Sequence, residues 1–347
     1  MQLNKIAYIG RVVLLSLILA VVSVPILDLI FDQDKAASRI ATVLSEENVD
    51  ILFFGDTVIR AYESGEKNTG IDSLLADKGH YAVLSAANSG TGRSRARNPE
   101  YSPIVYQDYI DIVARSIYKP KAIIIPINLQ SFSESWFSDP RAQFHLERLK
   151  ARLRYVRFSK GDFMEYLEYK LTDKLEREDS LWINSEVIYG DVSLGVRGKI
   201  DYESRIAERS FDYDDLKIQI KLMKQFEYNY MNIIERRHKM FDCLDKTIDT
   251  ARANGIKVVC YITPINFEDG GKYAGDKFTK RVKNNVAIIN QYLNDKGIDY
   301  LDMSFSLSSS HFMDKFVSSA RLNLNGRTWV ANELNYLIAS KLKGRGN

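Results

Sequence analysis

Short apolar runs closed by turn-forming residues recur along the chain. Asp50 to Phe54 (DILFF) stops at Gly55, and Tyr81 to Leu84 is a weaker run followed by Asn88-Ser89-Gly90-Thr91-Gly92. Lys121 to Ile127 (KAIIIPI) is the clearest, β-branched and apolar after its lysine; Lys257 to Ile262 (KVVCYI) and Ile298 to Leu301 follow later. Apolar runs without polar alternation are what strands covered on both faces require. Between them the period lengthens to that of helices. One helix is expected over about Ser102 to Tyr118, before Pro120, and another stops at Asn254-Gly255, a good C-terminal cap. A third covers Val282 to Leu293, and a last one runs from Asn325-Gly326 to about Leu342. Strands alternating with helices across short turns predict an α/β fold, a parallel sheet between two helical layers. Sites in such sheets lie beyond the carboxyl ends of the strands.

Two segments break this rhythm. From about 131 to 230 the chain is rich in Arg, Lys, Glu and Tyr, with helical patterns around 141–158, 161–177 and 214–250. This reads as a long helical insertion between the third and fourth strands, its last helix running on into the layer over the sheet. Arg148, Lys150, Arg152, Arg154 and Arg157 interleave there with Leu149, Leu153, Tyr155 and Phe158. The pattern suits a solvated helix face, lipid headgroups or an anionic envelope polymer. At the start of the chain, Val12 to Leu27 carries no charge. With Ile6 to Gly10 and a snorkelling Arg11 it reaches about 20 residues, enough to cross a bilayer. Lys5 and Arg11 precede it and Asp28, Asp32 and Asp34 follow, so the positive-inside rule puts the N-terminus in the cytoplasm and the body outside. A cleaved signal peptide is the rival reading, but no A-x-A site precedes Phe31. The expected organisation is a transmembrane anchor within 1–34 and one extracytoplasmic domain over 35–347.

Composition narrows the chemistry. The 48 basic and 45 acidic residues nearly cancel, at a net charge of +3, which with the external location argues against nucleic acid as a partner. The four histidines have no metal-ligand spacing, and Cys243 and Cys260, both in apolar stretches, read as buried free thiols. No metal and no cofactor are expected.

Four strand-end segments remain. They are Gly55-Asp56-Thr57-Val58-Ile59-Arg60, Asn88-Ser89-Gly90, Pro126-Ile127-Asn128, and Ser318-Ser319-Ala320-Arg321-Leu322-Asn323 with Gly326. In this order they resemble the SGNH (GDSL-like) hydrolase superfamily, whose four blocks carry Ser, Gly, Asn and His. The resemblance covers about 50–130 and 235–342, and it implies a three-layer, flavodoxin-like sheet. The insertion and single anchor look like the branch holding the D-alanyl-lipoteichoic-acid transfer proteins and related envelope acyltransfer partners. It implies a nucleophile at Thr57 and an oxyanion hole built by Thr57 N–H, Gly90 N–H and the Asn128 amide, because acyl transfer needs preorganised donors for the developing charge. Asp56, Arg60 and Arg93 are the accompanying candidates for substrate contact; Arg93, Arg95 and Arg97 suit a phosphate or carboxylate if they are not simply a solvated loop.

The chain departs from that pattern where the general base belongs. The last block of the family reads Asp-x-x-His-Leu-Asn-x-x-Gly; here Ser318 stands for the aspartate and Arg321 for the histidine. An arginine stays protonated and cannot accept the proton of a hydroxyl. The expectation is a degenerate member that binds an acylated glycan or envelope polymer, or serves as partner to a membrane-bound O-acyltransferase. The alternative is an esterase or acyltransferase with Thr57 as nucleophile and His311 as a relocated base. The echo Pro264-Ile265-Asn266 after the fourth strand is read as strand-end chemistry rather than a second site.

Overall fold

The computed structural model describes residues 35–55, 59, 70–86, 103–132, 216–313 and 320–342. The expected anchor within 1–34 and most of the insertion, 133–215, lie outside the described residues. No helix among the described residues is long and apolar enough to cross a membrane.

Five parallel strands form one sheet in the order β2-β1-β3-β4-β5: β1 Ile51–Phe53, β2 Val83–Ser85, β3 Ala122–Ile127, β4 Lys257–Ile262 and β5 Asp299–Asp302. The α/β architecture expected from the apolar runs is present, and β4 has the predicted bounds. Helices α1 Lys35–Glu46, α3 Pro103–Arg115, α4 Leu216–Tyr230, α5 Lys239–Ala253 and α6 Phe267–Asp295 contribute to one apolar cluster with Leu52, Ile123, Ile125 and Cys260. Helices α2 Ile71–Gly79 and α7 Leu324–Leu342 pack on the other face with Ile51, Phe53, Ile124 and Tyr261. Alternate residues of each strand thus feed opposite cores, as the pleat dictates, and both faces need apolar side chains. Pairing of Phe53 with both Ser85 and Ile124 puts β1 between β2 and β3, where successive crossovers leave in opposite directions. A crevice forms at such a switch point, beyond the carboxyl ends of the strands.

The structure corrects three expectations. The helical pattern over 214–250 forms two helices, α4 and α5, separated by 231–238. Asn285 of α6 causes the break to be stable: its Nδ2 donates to the carbonyls of Tyr230 (3.2 Å) and Asn232 (2.7 Å), and its Oδ1 accepts from Ile234 N (3.3 Å). A buried amide thereby satisfies main-chain groups that the end of a helix leaves open. His238 then starts α5, its Nδ1 accepting from Met240 N at 3.3 Å. The helix expected over Val282 to Leu293 begins already at Phe267, with a kink at Gly275, whose φ of 69° suits only glycine. Neither Cys243 nor Cys260 forms a disulfide, but Cys243 is half-buried rather than buried. Helices α1 and α2 have no counterpart among the predicted elements.

Candidate functional site

Blocks one and three follow directly on β1 and β3, block two begins three residues after β2, and block four lies sixteen residues beyond β5. After β1, Phe54 N donates to Ile124 O (2.9 Å) and the chain turns at Gly55. Ile59 folds back so closely that a Cβ on Gly55 would lie 1.5 Å from its Cδ1. Glycine is required here by close approach, and Ile59 is thereby sealed into the core below, beside Phe53. After β2, Ala86 N donates to Phe53 O (2.8 Å), joining the second block to the first. Asp56, Thr57 and Arg60 of block one, Gly90 and Arg93 of block two, and Ser318 of block four lie outside the described residues.

Asn128 follows directly on β3 and is 4% exposed. Its Oδ1 accepts from Gln130 N (3.0 Å), which orients the amide, because the opposite flip would set two donors against each other. Its carbonyl accepts from Ser131 N (3.0 Å) and Ser131 Oγ (2.6 Å), closing a 3₁₀ turn over Leu129–Phe132. That turn is held from above: Gln130 Nε2 donates to the hydroxyl of Tyr230 (2.7 Å) at the end of α4, and Phe132 packs on His238 and Phe241. Burial pushes the Tyr230 phenol far up, against the opposing bond from Gln130, so it stays protonated. With all this support, Asn128 Nδ2 is buried and has no hydrogen-bond partner among the described residues. Leaving such a donor unmatched costs about 1–3 kcal/mol, so a native fold that keeps one asks for an explanation.

Asn266 is the control within the same molecule. It ends the identical tripeptide Pro-Ile-Asn after β4, and it too is buried, 2% exposed. There Oδ1 accepts from Asp269 N (3.3 Å) and Nδ2 donates to Asp269 Oδ2 (2.9 Å), so both ends of the amide cap α6. Asn266 thus has a structural role at the start of α6.

Block four forms a tight assembly with the His311 turn. Phe312 and Leu322 face each other in an antiparallel bridge, both buried in the core that holds Ile59. Met313 N donates to Arg321 O (3.0 Å) and Asn323 N to His311 O (2.9 Å). With Phe312 and Leu322 turned inward, the flanking residues His311 and Arg321 fall on the opposite side, and both are half-buried. Asn323 caps α7 through Gly326 N (3.1 Å), while its own Nδ2 donates to Ser310 O (2.7 Å). A Cβ on Gly326 would stand 2.8 Å from His311 O. The Leu-Asn-x-x-Gly frame therefore has a structural meaning: it docks the His311 turn onto the start of α7. A second anchor is Glu268, whose Oε2 accepts from Ser309 N (2.9 Å) and whose carboxyl is held below the ordinary value by its bonds from Ser309. His311 Nδ1 lies 3.0 Å from Ser308 Oγ. The turn that carries His311 is exposed at Ser308 and Ser310 and is fixed at both ends.

One residue of this assembly is missing from the expected set. Arg327 is fully buried in the first turns of α7, with Nη1 donating to Leu322 O (2.6 Å). Its position was open to reading, since Arg327, Val330, Leu334 and Ile338 share one face at helical spacing, and the other three are core residues. Among the described residues no cluster of His, Cys, Asp or Glu is suited to a metal ion. No protein-family model matches the chain, and no curated protein sequence matches it significantly.

Proposed function

We propose that the chain is an SGNH-like domain that keeps the oxyanion-binding half of an acyl-transfer site and has lost the proton-transfer half. The observation that carries this reading is the buried, oriented and unpartnered Nδ2 of Asn128, beyond the carboxyl end of β3 at the switch point of the sheet. A preorganised donor of this kind recognises a carbonyl oxygen without reorganising. Thr57 N–H and Gly90 N–H are the donors proposed to complete the hole. Arg321 occupies the place of the base and cannot act as one. A bound acyl carbonyl would be polarised, but nothing at the base position would take the nucleophile's proton. Loss of such a group costs on the order of 10⁴ or more in turnover. The domain thus binds an acylated glycan or envelope polymer outside the cytoplasmic membrane, as partner of a membrane-bound O-acyltransferase.

A second reading, an active enzyme with Thr57 as nucleophile, is favoured by one observation: His311 is rigidly mounted, with its Nδ1 held by the Ser308 hydroxyl. A hydroxyl can fix a tautomer but does not stabilise the imidazolium as a carboxylate does. The full chain in detergent, exposed to a fluorophosphonate and to p-nitrophenyl acetate and read by intact mass, separates the two. The binding reading expects no adduct while O-acetylated chitobiose shifts the Asn128 side-chain amide resonance. An adduct on Thr57 that disappears in both Thr57→Ala and His311→Ala would overturn it, and so would an unmoved Asn128 resonance.

A further inference from the structure

We infer that the row Lys277, Lys280 and Lys283 of α6, together with the exposed ring of Phe305, forms a binding face for an acidic polysaccharide, a polymer of carboxylate-bearing sugars, beside the Asn128 site. The inference rests on the site reading above for its ligand being a glycan, and adds the charge that this glycan carries. Residues 272–283 hold five cations, Lys272, Lys277, Lys280, Arg281 and Lys283, against one acid, Asp276. In a chain whose charges otherwise nearly cancel, this is a local excess. Lys277, Lys280 and Lys283 are exposed and recur every third residue on the side of α6 opposite its core residues Phe278, Val282, Val286 and Ile289. None of the three is in an ion pair among the described residues. The acids before the kink are engaged, Glu268 by Ser309 N and Asp269 by Asn266. Like charges at this spacing repel, a cost that a polyanion laid along the row removes.

The row stands over the site edge of the sheet. Asn290 Nδ2 donates to Asp302 Oδ2 (2.6 Å), at the last residue of β5. Because α6 leads down to the amino end of β5, its residues before Asn290 project beyond the carboxyl edge, Lys283 by about 10 Å and Lys277 by about 20 Å along the helix. The row meets an aromatic pair there. Lys283 Nζ is 5.7 Å from the Phe267 ring centroid, and Phe305 packs edge to face on Phe267 at 4.6 Å while staying 40% exposed. Ile265 N donates to Ser304 O (3.0 Å), which seats Phe305 beside the end of β4. Asn128 lies across β4, two strand spacings or about 10 Å away. The same loop runs on from Phe305 through exposed Ser306, Ser308 and Ser310 to His311. These groups choose the ligand. Lysines are point charges without the guanidinium fork, suited to a spread of carboxylates more than to one clamped phosphate. An aromatic face is negative, so it takes the C–H side of a sugar ring and repels a bare anion. A charged glycan satisfies both; a polyphosphate satisfies only the first.

The test titrates the full chain in detergent with a short oligogalacturonate, its fully methyl-esterified form and polyphosphate, read by calorimetry. The acid form should bind about tenfold more tightly than the ester, since two exposed ion pairs are together worth about that much. Lys280→Gln with Lys283→Gln should bring the acid form down to the ester and leave the ester unmoved. Phe305→Ala should weaken both sugars and not polyphosphate, and Phe305→Trp should restore them. Lys78→Gln, exposed on α2 across the sheet, should change nothing. No binding of the acid form, binding that ignores both variants, or polyphosphate held as tightly as the acid form overturns the inference. So does displacement of the acid form by phosphatidylglycerol added to the micelles. No acyl group takes part, so this face can fail while the Asn128 resonance still responds to O-acetylated chitobiose, and the converse.

Discussion

Replacing Asn128 and Asn266 separately by alanine should have unequal consequences for stability, although both residues end the tripeptide Pro-Ile-Asn and both are buried. Asn128→Ala strands Gln130 N, which loses its acceptor, at a cost of about 1–3 kcal/mol. The same change removes the unpartnered Nδ2 and returns a penalty of about the same size, about 1–3 kcal/mol. The net change is about zero, within about 1 kcal/mol. Asn266→Ala removes the cap of α6, about 1 kcal/mol, together with a charge-assisted bond to Asp269, about 1.5 kcal/mol or more. Cavity terms are alike and cancel in the comparison. Urea unfolding of the full chain in detergent, followed by far-ultraviolet circular dichroism, should therefore lower the midpoint of Asn266→Ala by about 1 M relative to Asn128→Ala. If Asn128→Ala proves as destabilising as Asn266→Ala, then its Nδ2 has a partner in solution, and the case for a ligand donor at this position collapses.

Arg327→Met should destabilise the chain by about 2–4 kcal/mol, because Leu322 O loses a charge-assisted donor inside the core; hydrogen exchange should localise the loosening to 311–323. Gly55→Ala should unfold the β1 turn, and adding Ile59→Ala should restore much of the loss, a positive coupling readable in a double-mutant cycle. If the two changes simply add, the close approach of Ile59 is not what demands glycine. His238 is pushed below its ordinary value by burial, with Lys239 acting the same way against a bond to the Phe132 backbone. Because the unfolded chain binds the proton more readily, stability is full above the unfolded value of 6.5 and falls as pH drops through it toward the folded value. His238→Asn keeps a capping oxygen and should flatten that part of a melting-temperature profile; an unchanged slope would assign it to other groups.

The sheet was legible because fully covered strands must be apolar on both faces, and Lys257–Ile262 shows how literal that signal is. Helix boundaries were less so. The pattern over 214–250 keeps its period through 231–238, and the break depends on Asn285, a residue about fifty positions away that no local pattern connects to it. Helix α1 was open to reading, since Ala36, Ala37, Ile40 and Leu44 recur at helical spacing on one buried face, but the apolar segment before it masked that signal. Block order pointed to Asn128, but its vacancy for a partner could not be read from sequence. Asn266 has the same tripeptide and a filled set of bonds, and only the presence of Asp269 at capping distance separates them. Arg327 was readable by spacing, yet charge argues for the surface, and burial of a guanidinium is a tertiary fact.

The bond from Gln130 to Tyr230 has a bearing on how the chain can change over generations. Residues 133–215 lie between Phe132 and Leu216, and the clasp joins the turn after β3 to the far end of α4, about 21 Å along that helix from Leu216. Closing a loop grows only slowly more costly with its length, about 0.6 kcal/mol per doubling. Because the clasp lies at the far end of α4, a change in the number of residues between Phe132 and Leu216 leaves in place the bond that keeps the Asn128 turn in register. A chain in which 133–215 is replaced by a glycine-serine link long enough to reach the start of α4, about 21 Å along the helix from the clasp, should still fold its sheet.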